Sequence, residues 1–140
     1  NTYNMEEELY EKISKDLQEF AGIAPEVAEY QADYIDDAEL VVVGHGIVFR
    51  AVREAVDNLR KLGYKAGYFR PVTLRPLPEQ QIKELAGRIA QILVVESAYG
   101  QLARLFKEAA YGATAKISHL FKPGLGITST EVEERVKELL

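Results

Sequence analysis

Two predicted strand ends carry the polar residues that could do chemistry. Gly44-His45-Gly46 follows the apolar run 40–43, and Glu96 follows a second apolar run at 92–95. A histidine can exchange a proton near neutral pH, and α/β enzymes place working groups at the carboxyl ends of buried strands. Glu96 could equally accept a structural hydrogen bond from a neighbouring loop amide. The two glycines could begin a dinucleotide-binding fingerprint or simply allow a sharp turn into a helix.

Neither group completes a catalytic or binding motif. The third glycine of a dinucleotide fingerprint would stand at position 49, which is Phe49, and no acidic residue ends the next strand. His45 and His119 are the only histidines, and they do not have the spacing of a metal site. No Ser-His-Asp arrangement or phosphate loop is evident. We therefore predict no catalytic, cofactor-binding or metal-binding residue in this chain.

Strands and helices alternate around these residues. Apolar residues recur at helical spacing from Val48 to Leu62, and Gly63 stands where a helix C-cap belongs. Further strands are predicted at 27–30, 64–69, 92–95 and 116–121. Further helices are predicted over 4–20, from Pro78, over 101–110 with Leu102, Leu105, Phe106 and Ala109 inward, and after a Thr128-x-x-Glu131 capping box. This alternation indicates an α/β fold with mainly parallel strands.

The bulk composition describes one globular domain. The 140 residues are 47% hydrophobic with a net charge of −5, which argues against nucleic-acid binding by phosphate neutralisation. The absence of cysteine excludes disulfides and thiolate-bound zinc or iron–sulfur clusters and fits a cytoplasmic protein. No apolar run approaches membrane-spanning length, so no membrane contact is expected. We expect a single domain over 1–140, with an α/β core at 36–140.

The segment 1–22 is predicted to be an amphipathic helix outside that core. Its apolar stripe consists of Met5, Leu9, Ile13, Leu17 and Phe20, spaced about four residues apart. Gly22 and the following Pro25 predict its end. Such a stripe either docks on the domain's own sheet or meets a partner subunit or a second copy, because contiguous exposed apolar patches usually mark interfaces.

Three segments together resemble a known family. They are ELVVVGHGIVFRAVREAVDNL, FRPVTLRPLPEQQIKEL and ILVVESAYGQLARLF, in this order and spacing. They are similar to the C-terminal domain of the alpha subunit of 2-oxoacid:ferredoxin oxidoreductases, which belongs to the transketolase C-terminal superfamily. The most specific piece comprises Arg70-Pro71, Thr73-Leu74, Pro76 and Pro78, followed by a helix and the segment 94–101. Ile47 departs from the pattern, since the family usually has serine or another small residue there.

The resemblance implies a three-layer α/β/α fold with a five-stranded, mostly parallel sheet of order 1-3-2-4-5, in which strand 1 is antiparallel. It implies an accessory, subunit-packing domain of an enzyme that converts a 2-oxoacid and coenzyme A to acyl-CoA, CO₂ and reduced ferredoxin. Thiamine diphosphate, Mg²⁺ and Fe–S clusters would be held elsewhere in that enzyme, and the isolated domain would be inactive. The implied partners are the other domains of the alpha subunit, the beta subunit, ferredoxin and coenzyme A.

The implied strand order also places a crevice. The second and fourth strands become neighbours at a topological switch point, where open α/β sheets leave a crevice outside the carboxyl ends. We expect an interface or an anion site there, formed by Gly44, His45, Gly46, Glu96, Gly100 and Gln101. Two alternatives for the whole chain stay open: the equivalent domain of a transketolase or 2-oxoacid dehydrogenase, and a stand-alone module that binds a nucleotide or anion.

Overall fold

The computed structural model describes residues 5–140 and builds them around a five-stranded sheet. The helices are α1 (Glu6–Val27), α2 (Val48–Lys61), α3 (Glu79–Arg88), α4 (Gln101–Ala109) and α5 (Ser129–Leu139). The strands are β1 (Tyr30–Asp33), β2 (Leu40–Val43), β3 (Ala66–Pro71), β4 (Gln91–Glu96) and β5 (Lys116–Phe121). The sheet order is β1-β3-β2-β4-β5. Only the β1–β3 pair is antiparallel among these neighbours, which confirms the predicted topology.

Helices cover both faces of the sheet. Leu40 and Val42 of β2 pack in one apolar core with α2 and α5, while Val41 and Val43 pack in a second core with α3 and α4. All four residues of β2 are 0% exposed. A strand buried on both faces reads as a continuous apolar run, because neither face needs polar residues. The predicted three-layer architecture is confirmed.

Local capping signals set two helix boundaries as predicted. Gly63 follows α2 with φ of +90°, and its N–H and that of Tyr64 donate to carbonyls of the last turn at 3.0 Å each. This is the Schellman arrangement, in which glycine relieves the strain of the left-handed residue. Thr128 and Glu131 form the complete capping box that opens α5. Both boundaries depend only on neighbours in sequence.

The predicted boundaries of α1, β1, β3 and α3 are wrong by one to several residues. α1 continues through Gly22 and Pro25 to Val27, so the first strand begins at Tyr30 instead of residue 27. Pro25 has no N–H to donate to the Ala21 carbonyl, but this removes only one backbone bond, and the helix continues past it until the Ala28 N–H donates to the Ala24 carbonyl at 3.0 Å. β3 begins two residues later than predicted, at Ala66. Pro78 is the N-cap of α3 instead of its first residue.

Two leucines are more exposed than their spacing predicts. Leu105 was predicted to face inward, and Leu62 to end the apolar stripe of α2, but they are 38% and 62% exposed. No helix among residues 5–140 combines the length and apolarity needed to cross a bilayer. Residues 1–4 of the predicted segment 1–22 lie outside the described range.

Candidate functional site

A pocket of about 370 Å³ opens at the carboxyl ends of β2 and β4. These strands are parallel neighbours, and the chain leaves β2 toward the face covered by α2 and β4 toward the face covered by α4. That divergence creates the switch-point crevice. The lining includes His45, Gly46, Ile47, Leu74, Glu96 and Gln101.

The glycine turn after β2 is shaped by close packing. A Cβ on Gly44 would lie 2.8 Å from Val52 Cγ2, so only glycine lets the strand end approach α2 this closely. The Gly44 N–H donates to the Phe69 carbonyl at 3.3 Å. Gly46 has φ of +61°, a conformation that side chains disfavour. The turn therefore has a structural reason for its glycines, whatever the crevice binds.

Glu96 is directed at the start of α4. Its carboxylate accepts N–H bonds from Gly100 at 3.0 Å, Leu102 at 3.3 Å and Ala103 at 2.8 Å. The residue is only 6% exposed. A carboxylate at a helix N-terminus satisfies amides that have no partner inside the helix and interacts favourably with the helix dipole. Of the two interpretations of Glu96, the structural hydrogen bond is confirmed.

This arrangement changes what the crevice can bind. The amides at the start of α4 would be one half of an anion site, but the carboxylate of Glu96 already occupies them. The side chain of Gln101 is used locally too, since its Oε1 accepts the Tyr99 N–H at 3.1 Å. At the start of α2 no side chain caps the helix, and Ile47 is 90% exposed there. The open part of the crevice is thus mainly apolar.

The six residues predicted to form the crevice are only partly brought together. His45, Gly46, Glu96 and Gln101 line the pocket. Gly44 is buried behind the turn, and Gly100 supports α4 with φ of +93°. Leu74, from the proline-rich segment, lines the pocket without any signal in the sequence, because that segment has no periodicity to show which side chains turn inward.

The remaining predicted chemistry lies away from the pocket. His119 is an exposed residue of β5, and the centre of its ring lies 4.5 Å from that of Phe121. Within residues 5–140 no three histidine or carboxylate side chains come together in a way that could hold a metal ion. The hydrogen bond from Lys122 lowers the pKa of Glu131 to about 2, with a further contribution from the backbone of Thr128. Glu131 is in the first turn of α5, and Lys122 directly follows β5.

Two other shifted groups also lie outside the pocket. A hydrogen bond from Arg60 lowers the pKa of the Asp37 carboxyl. Burial raises the pKa of the Tyr68 hydroxyl, and the nearby charge of Asp33 adds to this. These residues belong to the packing of α2 against the sheet, so their shifts report structural contacts.

A second candidate surface is α1. The helix has no buried residue, and its apolar side chains Leu9, Ile13, Leu17, Phe20, Ile23 and Val27 are between 38% and 61% exposed. The predicted stripe therefore does not dock on the domain's own sheet. What covers it stays a prediction.

Comparison with known proteins gives the family. The family model described as pyruvate:ferredoxin oxidoreductase core domain II matches residues 38–135. The ketoisovalerate oxidoreductase subunit VorB of Methanothermobacter marburgensis is 38% identical over 94 residues, covering 66% of this chain and 27% of that protein. Subunit VorA of Pyrococcus furiosus is 41% identical over 81 residues, covering 56% of this chain and 21% of that protein. The chain thus spans about a quarter of the length of these curated relatives.

Solved structures share the fold. The 2-oxoglutarate:ferredoxin oxidoreductase from Magnetococcus marinus, with 2-oxoglutarate, coenzyme A and succinyl-CoA bound, has a TM-score of 0.81 at 20% identity, covering 97% of this chain and 24% of that chain. A split-gene transketolase, described as an inactive β4 tetramer, has a TM-score of 0.65 at 17% identity, covering 79% of this chain and 40% of that chain. Since the family model covers most of the sequence, the chain belongs to the family of the pyruvate:ferredoxin oxidoreductase core domain II.

Proposed function

We propose that this chain is the subunit-packing domain of the alpha subunit of a thiamine-diphosphate-dependent 2-oxoacid:ferredoxin oxidoreductase in the cytoplasm. The whole enzyme would take a 2-oxoacid and coenzyme A, release CO₂ and a proton, form the acyl-CoA thioester and pass two electrons to ferredoxin. The observation that carries this proposal is the match to core domain II over residues 38–135, joined by VorB and VorA relatives.

The residues of this domain do not fit the cofactors of such an enzyme. The sequence contains no cysteine for an Fe–S cluster, and residues 5–140 contain no carboxylate cluster for the Mg²⁺ that accompanies thiamine diphosphate. We therefore assign both groups to other parts of the enzyme. No step of the reaction is assigned to a residue of this chain.

The crevice between the Gly44-His45-Gly46 turn and the 96–101 segment is proposed as a docking site for a neighbouring domain or subunit. Ile47 and Leu105 are exposed apolar side chains of this crevice. The carboxylate of Glu96 already accepts the N–H groups at the start of α4, the nearest helix N-terminus. An apolar contact suits such a surface better than a phosphate, which would meet the charge of Glu96. This favours the interface over the anion site.

The test is Ile47→Glu in the complete enzyme, with Leu62→Glu at the opposite end of α2 as the matched control. Both side chains are largely exposed, at 90% and 62%, so neither change should disturb the core. Loss of one buried isoleucine contact of about 1.5–3 kcal/mol corresponds to roughly 10- to 100-fold weaker assembly. The fraction of assembled complex in sedimentation and the rate of 2-oxoacid-dependent ferredoxin reduction should both fall for Ile47→Glu and stay unchanged for Leu62→Glu.

Thermal shift of the isolated chain separates this proposal from a binding module. A ligand at 100 times its dissociation constant stabilises a folded protein by about 2.7 kcal/mol. We expect no rise in melting temperature with thiamine diphosphate, coenzyme A or inorganic phosphate. A clear rise with any of them, together with equal assembly of the two variants, would contradict the packing role.

A further inference from the structure

Helix α1 presents an apolar face that its own domain leaves largely uncovered. At 22 residues it is about 33 Å long, and its stripe runs from Leu9 to Val27. Phe20, the least exposed residue of the stripe, is still 38% exposed, and Leu17 is 61% exposed. An uncovered apolar stripe of this length is costly in water, so a surface outside this domain is needed to bury it.

The carboxyl end of α1 is fixed to the proline-rich segment. The Glu29 N–H donates to Thr73 Oγ1 at 2.9 Å, and the Glu29 carbonyl accepts the N–H groups of Val72 at 2.9 Å and Thr73 at 3.2 Å. The Arg75 guanidinium lies 5.5 Å from the centre of the Phe20 ring. These contacts join the helix to the edge of the sheet and set the direction in which it leaves the domain.

The shared fold indicates where the covering surface belongs. The match to the Magnetococcus marinus oxidoreductase covers 97% of this chain, so α1 is part of the common fold and not an appendage. The same match covers only 24% of the larger chain. Most of such an enzyme therefore lies outside this domain and is available to bury the stripe.

The charge of α1 indicates the chemistry of that surface. Residues 6–27 contain seven acidic and two basic residues, while the other residues contain fifteen of each, so α1 carries the whole net charge of −5. Lys12 pairs with Asp16, and Lys15 lies 3.8 Å from Glu19, so both basic side chains are used within the helix. A second copy of α1 would bring the same acidic excess to the contact.

We propose that α1 docks, stripe inward, into an apolar groove rimmed by lysine and arginine side chains on the remainder of the same oxidoreductase. The inference rests on the proposed function and adds the position, charge and partner of one interface. Glu8 and Glu26 are five turns apart and point in the same direction, each one residue before a member of the stripe. They would face the basic rim. Glu7 and Glu11 are each two residues from Leu9, which places them on the side of the helix opposite to the stripe, where they would face solvent.

The test is hydrogen–deuterium exchange of peptides within residues 6–27, in the isolated chain and in the complete enzyme. Exchange should be at least about 100-fold slower in the enzyme, because docking adds the burial of several large apolar side chains. Glu8→Lys with Glu26→Lys should remove most of this protection. Glu7→Lys with Glu11→Lys is the matched control with the same charge change and should retain it. Ile13→Asp should abolish it without lowering the melting temperature of the isolated chain.

Three results would overturn the proposal: equally fast exchange of α1 in the enzyme and the isolated chain, equal effects of the two charge reversals, or an isolated chain that dimerises with α1 protected. The last result would make a second copy the partner. Ferredoxin reduction by the unmodified enzyme is measured in parallel. If a 2-oxoacid does not drive it, the proposed function fails, whereas the exchange data still decide the docking.

Discussion

Glu96→Ala should destabilise the domain by removing the acceptor for the first turn of α4. The carboxylate accepts three backbone N–H groups at 2.8–3.3 Å from a position that is 6% exposed. Leu102 and Ala103, which supply two of these donors, are 5% and 2% exposed, so water reaches their amides poorly after the change. The effect is therefore one of unpaired buried donors and not of lost apolar packing.

The expected size follows from those contacts. A buried amide that loses its acceptor costs about 1–3 kcal/mol, and the lost charge–dipole interaction adds roughly 0.3–1 kcal/mol. If each of the two buried amides costs about 1.5 kcal/mol, the free energy of unfolding falls by about 3 kcal/mol. For a chain of this size that is a fall in melting temperature of roughly 10 °C. Glu96→Gln keeps one acceptor oxygen and should cost about half as much.

Urea unfolding and thermal melts of the two variants, beside Glu108→Ala, would check this. Glu108 is on the exposed face of the same helix, and its loss should change stability by less than about 0.5 kcal/mol. The reasoning is refuted if Glu96→Ala is as stable as Glu108→Ala.

Two further predictions concern the start of α5 and the edge of the sheet. The pKa of Glu131, lowered to about 2 by Lys122 at 2.5 Å, means that its stabilisation is complete above the ordinary value of 4.5 and is lost as the pH falls toward 2. Urea unfolding of Glu131→Gln should therefore differ from that of the unmodified chain at neutral pH and converge with it toward pH 2; a constant difference would contradict this. Gly67→Ala should cost about 1–3 kcal/mol, because its Cβ would lie 2.5 Å from the Tyr34 carbonyl oxygen. Gly87→Ala, with nothing within 4 Å, should instead stabilise α3 by up to about 1 kcal/mol; equal melting temperatures for the two variants would refute the steric argument.

The parts of the fold that were predicted correctly depend on local patterns. The apolar run of β2 and the helical spacing of α2 identify a buried strand and its following helix, because each pattern repeats the geometry of its own element. Gly63 and the Thr128–Glu131 capping box fix helix ends through bonds between near neighbours. The strand order could not be obtained in this way, and it was predicted from the resemblance of three segments to a family.

The errors arose where the chain is not periodic or where an element has no partner in the domain. Gly22 and Pro25 predicted the end of α1, but the helix continues through both to Val27, since glycine lowers helix stability by only about 1 kcal/mol and the missing Pro25 N–H removes one backbone bond. Leu74 enters the pocket from a segment of prolines, where spacing gives no direction for its side chain.

The sequence by itself determined the alternation of strands and helices, the glycine turn after β2, the amphipathic character of α1 and the absence of thiolate chemistry, because each is a property of residue type or local spacing. From the sequence alone, Glu96 could be a working group or a structural hydrogen-bond acceptor, and the α1 stripe could pack on the domain's own sheet or on a partner. Only the tertiary structure showed that the Glu96 carboxylate accepts backbone amides and that the stripe does not dock on the domain's own sheet, since both depend on which elements face one another. The carboxyl end of β4 lies beneath the start of α4, so the carboxylate of Glu96 meets backbone amides. α1 leaves the sheet at its β1 edge, so its stripe has no layer of its own domain to pack against.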